Sequence, residues 1–167
     1  MADDSQKGDG AEGWQPMIAD LEARKDRARA MGGSEKIAKQ HGRGQMTARE
    51  RIDALVDPGS FQELGTLVGD ISEKAPADAF PAGMGTLEGR PILVGAEDFT
   101  VMGGSIGLGA ADKRYRLTQL ARDERVPLVF ILHGAGHRIT NALKGHGRSP
   151  NDLQAVSYTH LTLPTKA

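Results

Sequence analysis

Apolar residues recur at helical spacing in the first third of the chain. The first such stripe consists of Trp14, Met17, Ile18 and Leu21. The doublet Gly32-Gly33 is the expected end of that helix. A second helix is predicted to open at Thr47, where Glu50 completes a capping-box spacing, and to end at Asp57-Pro58-Gly59. We expect the basic stretch Lys36–Arg43 between these helices to be a solvated connection, with a phosphate-rich ligand as the alternative.

Strand character begins after Phe61. Two apolar runs, 84–87 and 91–96, flank the turn Glu88-Gly89-Arg90 and predict a β-hairpin, whose second strand residues 99–102 could extend. A flexible glycine turn and a charged helix over 110–125 are expected next, and Pro127 blocks continuation of that helix. The unbroken apolar run 128–132 is typical of a strand buried on both faces. This order of strands and helices predicts an α/β fold.

Composition and charge narrow the possible partners. The 167 residues suit one domain or part of a larger one, and the near-balance of 21 basic and 22 acidic residues favours neither nucleic acid nor an anionic membrane. There is no cysteine, which excludes disulfides and thiolate metal sites. The polar segment 1–13 is expected to be a disordered leader, and because it carries no secretory signal we expect a cytoplasmic location.

The turn after the last predicted strand, HGAGHR, is the first candidate for chemistry. A strand that feeds a small-residue turn and then a helix presents free backbone N–H groups at the helix N-terminus. Gly134, Ala135 and Gly136 carry little or no side chain, so a carbonyl oxygen or developing oxyanion could come within hydrogen-bonding distance. The alternative is a simple tight turn without a ligand.

Further candidates carry weaker signals. The run MGGSIGLG over 102–109 lacks the Gly-Lys-Ser/Thr ending of a P-loop. We expect a second backbone donor site or room for a bound ligand there, with a closely packed helix–strand connection as the alternative. His133 and His137 are four residues apart but straddle glycines, which makes metal binding a minor alternative, and we expect no metal site. Arg138 could hold a phosphate or carboxylate, or pair within the domain.

Three long motifs resemble one family in the right order. They read KIAKQHGRGQMTARERIDALVDPGSFQELG, GMGTLEGRPILVGAEDFTVMGGSIG and PLVFILHGAGHRITNALKGHGRSPNDLQ. They are similar to the carboxyltransferase (β) subunits of biotin-dependent acyl-CoA carboxylases, of the propionyl-CoA, methylcrotonyl-CoA and acetyl-CoA type. The resemblance covers about residues 14–154 and is far more specific than a lone glycine loop.

The resemblance implies a crotonase-like (ClpP/crotonase) fold, a superhelix of ββα units. Residues 14–154 would form part of the N-terminal acyl-CoA carboxyltransferase domain. The family moves a carboxyl group from carboxybiotin, held on a separate carrier, to the α-carbon of an acyl-CoA through an enolate. The implied partners are therefore an acyl-CoA, a biotin carboxylase and biotin carrier subunit, and further copies of the carboxyltransferase subunit.

The resemblance also implies site residues. Aligning the arginine of the family turn with Arg138 gives Ala135 and Gly136 as the backbone donors for the thioester oxygen. The expected substrate-binding residues around this pair are Gly103, Gly104, Ser105, Gly134, His137 and Arg138.

The sequence departs from the family pattern at two places. His133 stands where the family usually has an acidic residue, and the chain diverges after Gln154. We expect residues 155–167, AVSYTHLTLPTKA, to be a non-native tail and the 167-residue chain alone to be inactive. Two alternative functions stay open: a biotin-dependent malonyl- or methylmalonyl-CoA decarboxylase subunit, and a non-catalytic CoA-binding or assembly remnant.

Overall fold

A computed structural model describes residues 9–68 and 76–138. The helices of this part of the chain are α1 (Asp9–Arg29), α2 (Ser34–His41), α3 (Ala48–Leu55) and α4 (Leu108–Glu124). The strands are β1 (Gln62–Glu63), β2 (Ala82–Leu87), β3 (Arg90–Ala96) and β4 (Leu128–Ile131), and short turns that contain residues of positive φ cover Pro76–Ala79 and Met102–Gly104. The predicted helix after the HGAGHR turn and the predicted tail lie outside the described residues.

The strands form one mixed sheet in the order β1-β2-β3-β4. β2 and β3 are the predicted antiparallel hairpin, and its two turn residues, Glu88 and Gly89, both have positive φ, as tight hairpin turns require. β3 pairs in parallel with β4, and α4 makes the crossover between them. The hairpin and the α/β order predicted from the sequence are confirmed.

Side chains alternate along β3, so the strand has an apolar face on each side of the sheet, and a helix packs on each. Ile92, Val94 and Ala96 face one way, into a core with Ile52 of α3. Leu93 faces the other way, and the core on that side also contains Phe80, Ala82, Ile106, Ala110 and Leu117. The carboxyl ends of β3 and β4 therefore lie at one edge of a sheet that is packed on both sides.

Local capping sets the bounds of α3 as the sequence predicts. The Thr47 hydroxyl accepts a hydrogen bond from Glu50 N–H, and the Glu50 carboxylate accepts one from Thr47 N–H at 2.7 Å. These bonds, with a contact from His41, hold the pKa of Glu50 below its usual value. The helix buries Ile52 completely, so the predicted apolar face is the packed face.

Two segments expected to be irregular contain helix. α1 begins at Asp9, inside the segment 1–13 that was expected to be disordered, and α2 occupies most of the basic stretch that was expected to be a connection. α2 is built of helix-forming residues, with Glu35 in its first turn and basic side chains in its last turn, which complements the helix dipole.

Two strand predictions are corrected. Residues 99–102 do not extend β3, because buried Asp98 accepts hydrogen bonds from the Thr100 N–H and hydroxyl and so turns the chain. β4 is half-buried along its length, whereas burial on both faces was expected. It lies at the edge of the described sheet and pairs there with β3 alone.

Candidate functional site

Two glycine turns meet at the carboxyl edge of the sheet. One is the Met102–Gly104 turn, and the other is the 133–137 turn that follows β4. Ala135 N–H donates to Gly103 O at 3.0 Å, and a Cβ atom added to Gly104 would lie 2.7 Å from His133 O. The carboxyl ends of parallel strands are where α/β sheets bind ligands. The structure thus brings together the two turns that the sequence singled out separately.

A short parallel bridge continues this contact. Ile106 N–H donates to Gly136 O at 2.8 Å, and Arg138 N–H donates to Ile106 O at 3.0 Å. With the Ala135–Gly103 bond, three backbone hydrogen bonds hold the second turn against the first. The turn is therefore anchored at Ala135, Gly136 and Arg138, and residues 134–137 are exposed.

The backbone donors of this turn are used unequally. Ala135 N–H, one of the two predicted donors, is already bonded to Gly103 O. The N–H groups of Gly136 and His137 donate to no acceptor within residues 9–68 and 76–138. Gly136 has φ of +84°, and a Cβ atom added there would meet nothing within 4 Å. The uncommitted donors are thus adjacent, exposed and next to open space.

Arg138 and Ser105, both predicted to bind substrate, contact each other. Arg138 Nε donates to Ser105 Oγ at 3.2 Å, and Nη2 donates to Ser105 O at 2.9 Å. Nη1 forms an ion pair with Asp78 at 2.6 Å, in which the side chains are 13% and 4% exposed. These bonds direct the guanidinium inward and make it part of the support beneath the turn.

Asp78 is the residue of this site that sequence reasoning missed. Its carboxylate binds Arg138, and it also accepts from Ala110 N–H in the first turn of α4 at 2.8 Å. Asp78 and Arg138 are 60 positions apart, and the acid stands within an alanine and proline run that carries no periodic pattern. No signal in the sequence pairs these two residues.

His133, where the resemblance led us to expect an acidic residue, is held on three sides. Its ring stacks on Phe99 with centroids 4.8 Å apart, and Arg51 Nη2 donates to Nδ1 at 2.6 Å. His133 N–H donates to the Glu97 carboxylate at 2.7 Å, which is also paired with Arg114. The imidazole therefore offers Arg51 the acceptor that a carboxylate at this position would offer.

The described residues contain neither a cluster of three potential metal ligands among His, Asp and Glu side chains nor a helix long and apolar enough to cross a membrane. What this edge does offer is the adjacent N–H groups of Gly136 and His137, which have no acceptor within the described part of the chain. Such donors suit a carbonyl oxygen that gains negative charge.

Comparison of the sequence with known proteins shows which family the chain belongs to. Residues 39–157 match the family described as Carboxyl transferase domain. The chain belongs to the carboxyl transferase family. It is 37% identical, over 78% of its length, to the propionyl-CoA carboxylase beta chain of Roseobacter denitrificans. It is 38% identical, over 73% of its length, to the methylmalonyl-CoA decarboxylase alpha subunit of Veillonella parvula.

Solved structures of the family have the same fold. The crystal structure of the transcarboxylase 12S hexamer, with methylmalonyl-coenzyme A and methylmalonic acid bound, matches with a TM-score of 0.70 and 35% identity over 78% of this chain. The crotonase-like α/β fold predicted from the sequence is thereby confirmed. The chain spans 26% to 28% of the length of the two curated relatives and 27% of the 12S chain.

Proposed function

We propose that this chain is the acyl-CoA-binding part of a biotin-dependent carboxyltransferase. The proposal is carried by the uncommitted N–H groups of Gly136 and His137, which lie at the carboxyl edge of a carboxyl transferase sheet. They would donate to the thioester oxygen of an acyl-CoA, and Gly103, Gly104 and Gly134 would line the approach. Ala135 acts within the turn, because its N–H is bonded to Gly103 O.

Such donors suit the chemistry of carboxyl transfer at an α-carbon. Loss of the α-proton, for which biotin would be the acceptor once it has released its carboxyl group as carbon dioxide, places negative charge on the thioester oxygen. A preorganised backbone donor aimed at that oxygen contributes roughly 3–4 kcal/mol. No enzymic nucleophile is needed, since the enolate itself forms the new carbon–carbon bond. A turn anchored by three backbone hydrogen bonds is preorganised in this sense.

Carboxybiotin supplies the carboxyl group in this proposal. The adjacent N–H groups of Gly136 and His137 suit one carbonyl oxygen, and we assign them to the acyl-CoA. No residue of this chain is assigned to biotin, which a separate carrier subunit would bring. Assembly with further carboxyltransferase subunits is part of the same proposal and is supported by the hexamer of the 12S relative.

The reverse reaction uses the same donors. Removal of carbon dioxide from a malonyl- or methylmalonyl-CoA also passes through a thioester enolate, and the decarboxylase subunit of Veillonella parvula is as similar to this chain as the propionyl-CoA carboxylase subunit is. The proposed site therefore serves carboxyl transfer in either direction.

Binding of propionyl-CoA tests the proposal. Gly136→Val should weaken binding at least tenfold, because it places a branched side chain in the open space beside the donors. Gly44→Val is the matched control, since Gly44 also has positive φ and open space but lies in the loop after α2. The measurement is titration calorimetry, with melting curves to show that both variants lose similar stability. Equal affinity of the two variants would remove Gly136 from the site.

A further inference from the structure

The Asp78 carboxylate joins three parts of the chain. It pairs with Arg138 Nη1 after β4, accepts a hydrogen bond from Ala110 N–H in α4, and lies in the turn Pro76–Ala79 before β2. The Arg138 side chain also donates hydrogen bonds to the hydroxyl and the carbonyl of Ser105, which directly follows the first glycine turn. One buried carboxylate thus connects both glycine turns to the start of α4.

Two glycines of the MGGSIGLG run make room for this ion pair. A Cβ atom added to Gly107 would collide with both carboxylate oxygens of Asp78 and lie 2.5 Å from Arg138 Nη1. A Cβ atom added to Gly109 would lie 2.5 Å from Val68 Cγ1 and 3.1 Å from Asp78 Oδ2. These glycines therefore allow close packing around Asp78. This agrees with the closely packed connection that the sequence analysis gave as one alternative for the MGGSIGLG run.

The backbone at Asp78 is held in an uncommon conformation. Ala77, Asp78 and Ala79 have φ of 48°, 47° and 58°, all in the left-handed region. Side chains with a Cβ rarely adopt this region in succession, and such turns persist only where surrounding contacts determine them. Asp78 is 3% exposed, and its ion pair with Arg138 is such a contact.

We propose that Asp78 is a positioning residue that sets the direction of the Gly136 and His137 N–H groups. Asp78 fixes the Arg138 side chain, and Gly136 O and Arg138 N–H bond to the N–H and the carbonyl of Ile106, so that His137 N–H lies between these two bonds and Gly136 N–H directly precedes them. This inference rests on the proposed function. Its consequence is specific to acyl-CoA, because free CoA lacks the thioester carbonyl oxygen to which these donors are assigned.

The test compares the affinities of this chain for propionyl-CoA and for CoA. Asp78→Asn removes the charge but keeps the size and the tolerance of asparagine for the left-handed region. Asp57→Asn is the matched control, because the Asp57 carboxylate likewise accepts several hydrogen bonds, from Thr86, Glu88 and Gly89, but these hold the hairpin and not the glycine turns. Both variants are measured by calorimetry after their folding is checked by melting.

We expect the unaltered chain to bind propionyl-CoA at least tenfold more tightly than CoA. Asp78→Asn should reduce this preference to within twofold of unity while leaving CoA affinity within twofold, and Asp57→Asn should retain the preference. A merely destabilising change would weaken both ligands equally. A folded Asp78→Asn variant that keeps the full preference overturns the positioning role, whereas no preference in the unaltered chain overturns the proposed function itself.

A second variant covers the case in which Asp78→Asn does not fold. Arg138→Lys keeps a positive charge beside Asp78 but cannot make the two bonds to Ser105 that the planar guanidinium makes. The same loss of preference is expected. A folded Arg138→Lys variant with the preference intact overturns the proposal.

Discussion

Single glycines decide how closely the parts of this chain pack. The 22 glycines predict tight turns or close backbone approaches, and Gly95 in β3 is one such approach. A Cβ atom added there would lie 2.5 and 2.8 Å from two ring carbons of Phe80. Phe80 is 1% exposed and packs edge-on against Phe130, so its ring has little room to move. Gly95 is therefore required by packing and not by backbone conformation.

Adding one methyl group at Gly95 should destabilise the fold. We expect Gly95→Ala to lower the free energy of unfolding by about 1–3 kcal/mol, because a buried side chain has to shift. Gly42→Ala is the control, since φ there is an ordinary −60° and the nearest atom to the added Cβ would be 3.4 Å away. Chemical denaturation measures both variants. Equal stability would show that the Phe80 ring accommodates the methyl group.

The four helices of the described chain have different relations to the core. The capped helix α3 buries its apolar face, with Ile52 fully buried between α3 and the sheet. The apolar stripe of α1 has the same periodicity, yet Trp14, Met17 and Ile18 are 63%, 63% and 50% exposed. α1 is held instead near its end, where Ala28 is buried and its carbonyl accepts from Arg49 at 3.5 Å. Periodicity predicts a helix, but it does not show what the helix packs against.

Truncating an isoleucine to alanine should lower the stability of the fold much more in α3 than in α1. Ile52→Ala is expected to cost roughly 2–5 kcal/mol of unfolding free energy, because it leaves a cavity in a closed core. Ile18→Ala is its control and should change stability by less than about 0.5 kcal/mol, as substitutions at exposed positions do. Urea denaturation monitored by circular dichroism measures both. A large cost at Ile18 would mean that the α1 stripe is covered in solution.

Across the whole molecule, charged groups lie between the layers. Arg49 of α3 makes a two-point ion pair with Glu63 of β1, at 2.8 and 3.1 Å. Lys113 of α4 is 6% exposed and donates to Phe80 O at 2.5 Å. Burial lowers the pKa of Lys113 from 10.5 to about 8, although the neighbouring charge of Glu63 acts in the opposite direction. Folding thus disfavours the protonated lysine.

The stability of the molecule should rise with pH above neutrality. Between pH about 8 and 10.5 the unfolded chain retains a proton on Lys113 that the folded chain has released, so raising the pH favours the folded state. The gain is at most about 3 kcal/mol. Lys113→Met should abolish this rise, whereas Lys36→Met, at an exposed position of α2, should keep it. Denaturation midpoints from pH 7 to 11 measure the slopes, and equal slopes in the two variants would contradict the assignment to Lys113.

The sequence by itself determines the features that depend on near neighbours. The Thr47–Glu50 capping box, the Glu88-Gly89 turn of the hairpin and α4 all follow from residues a few positions apart, and each is present as predicted. The three motifs also determine the family, because long runs of residues in a fixed order are specific. The crotonase-like fold follows from that family.

The tertiary structure alone decides contacts between residues far apart in the chain. The pairing of Asp78 with Arg138, the use of Ala135 N–H by Gly103 and the exposure of the α1 stripe all depend on how the layers meet. The residue types show which groups can donate or accept a hydrogen bond, but not which partner each group has in the folded chain. Arg138 and Ala135 have the right chemistry for a ligand, yet the folded chain supplies both with internal acceptors and leaves Gly136 and His137 uncommitted among the described residues.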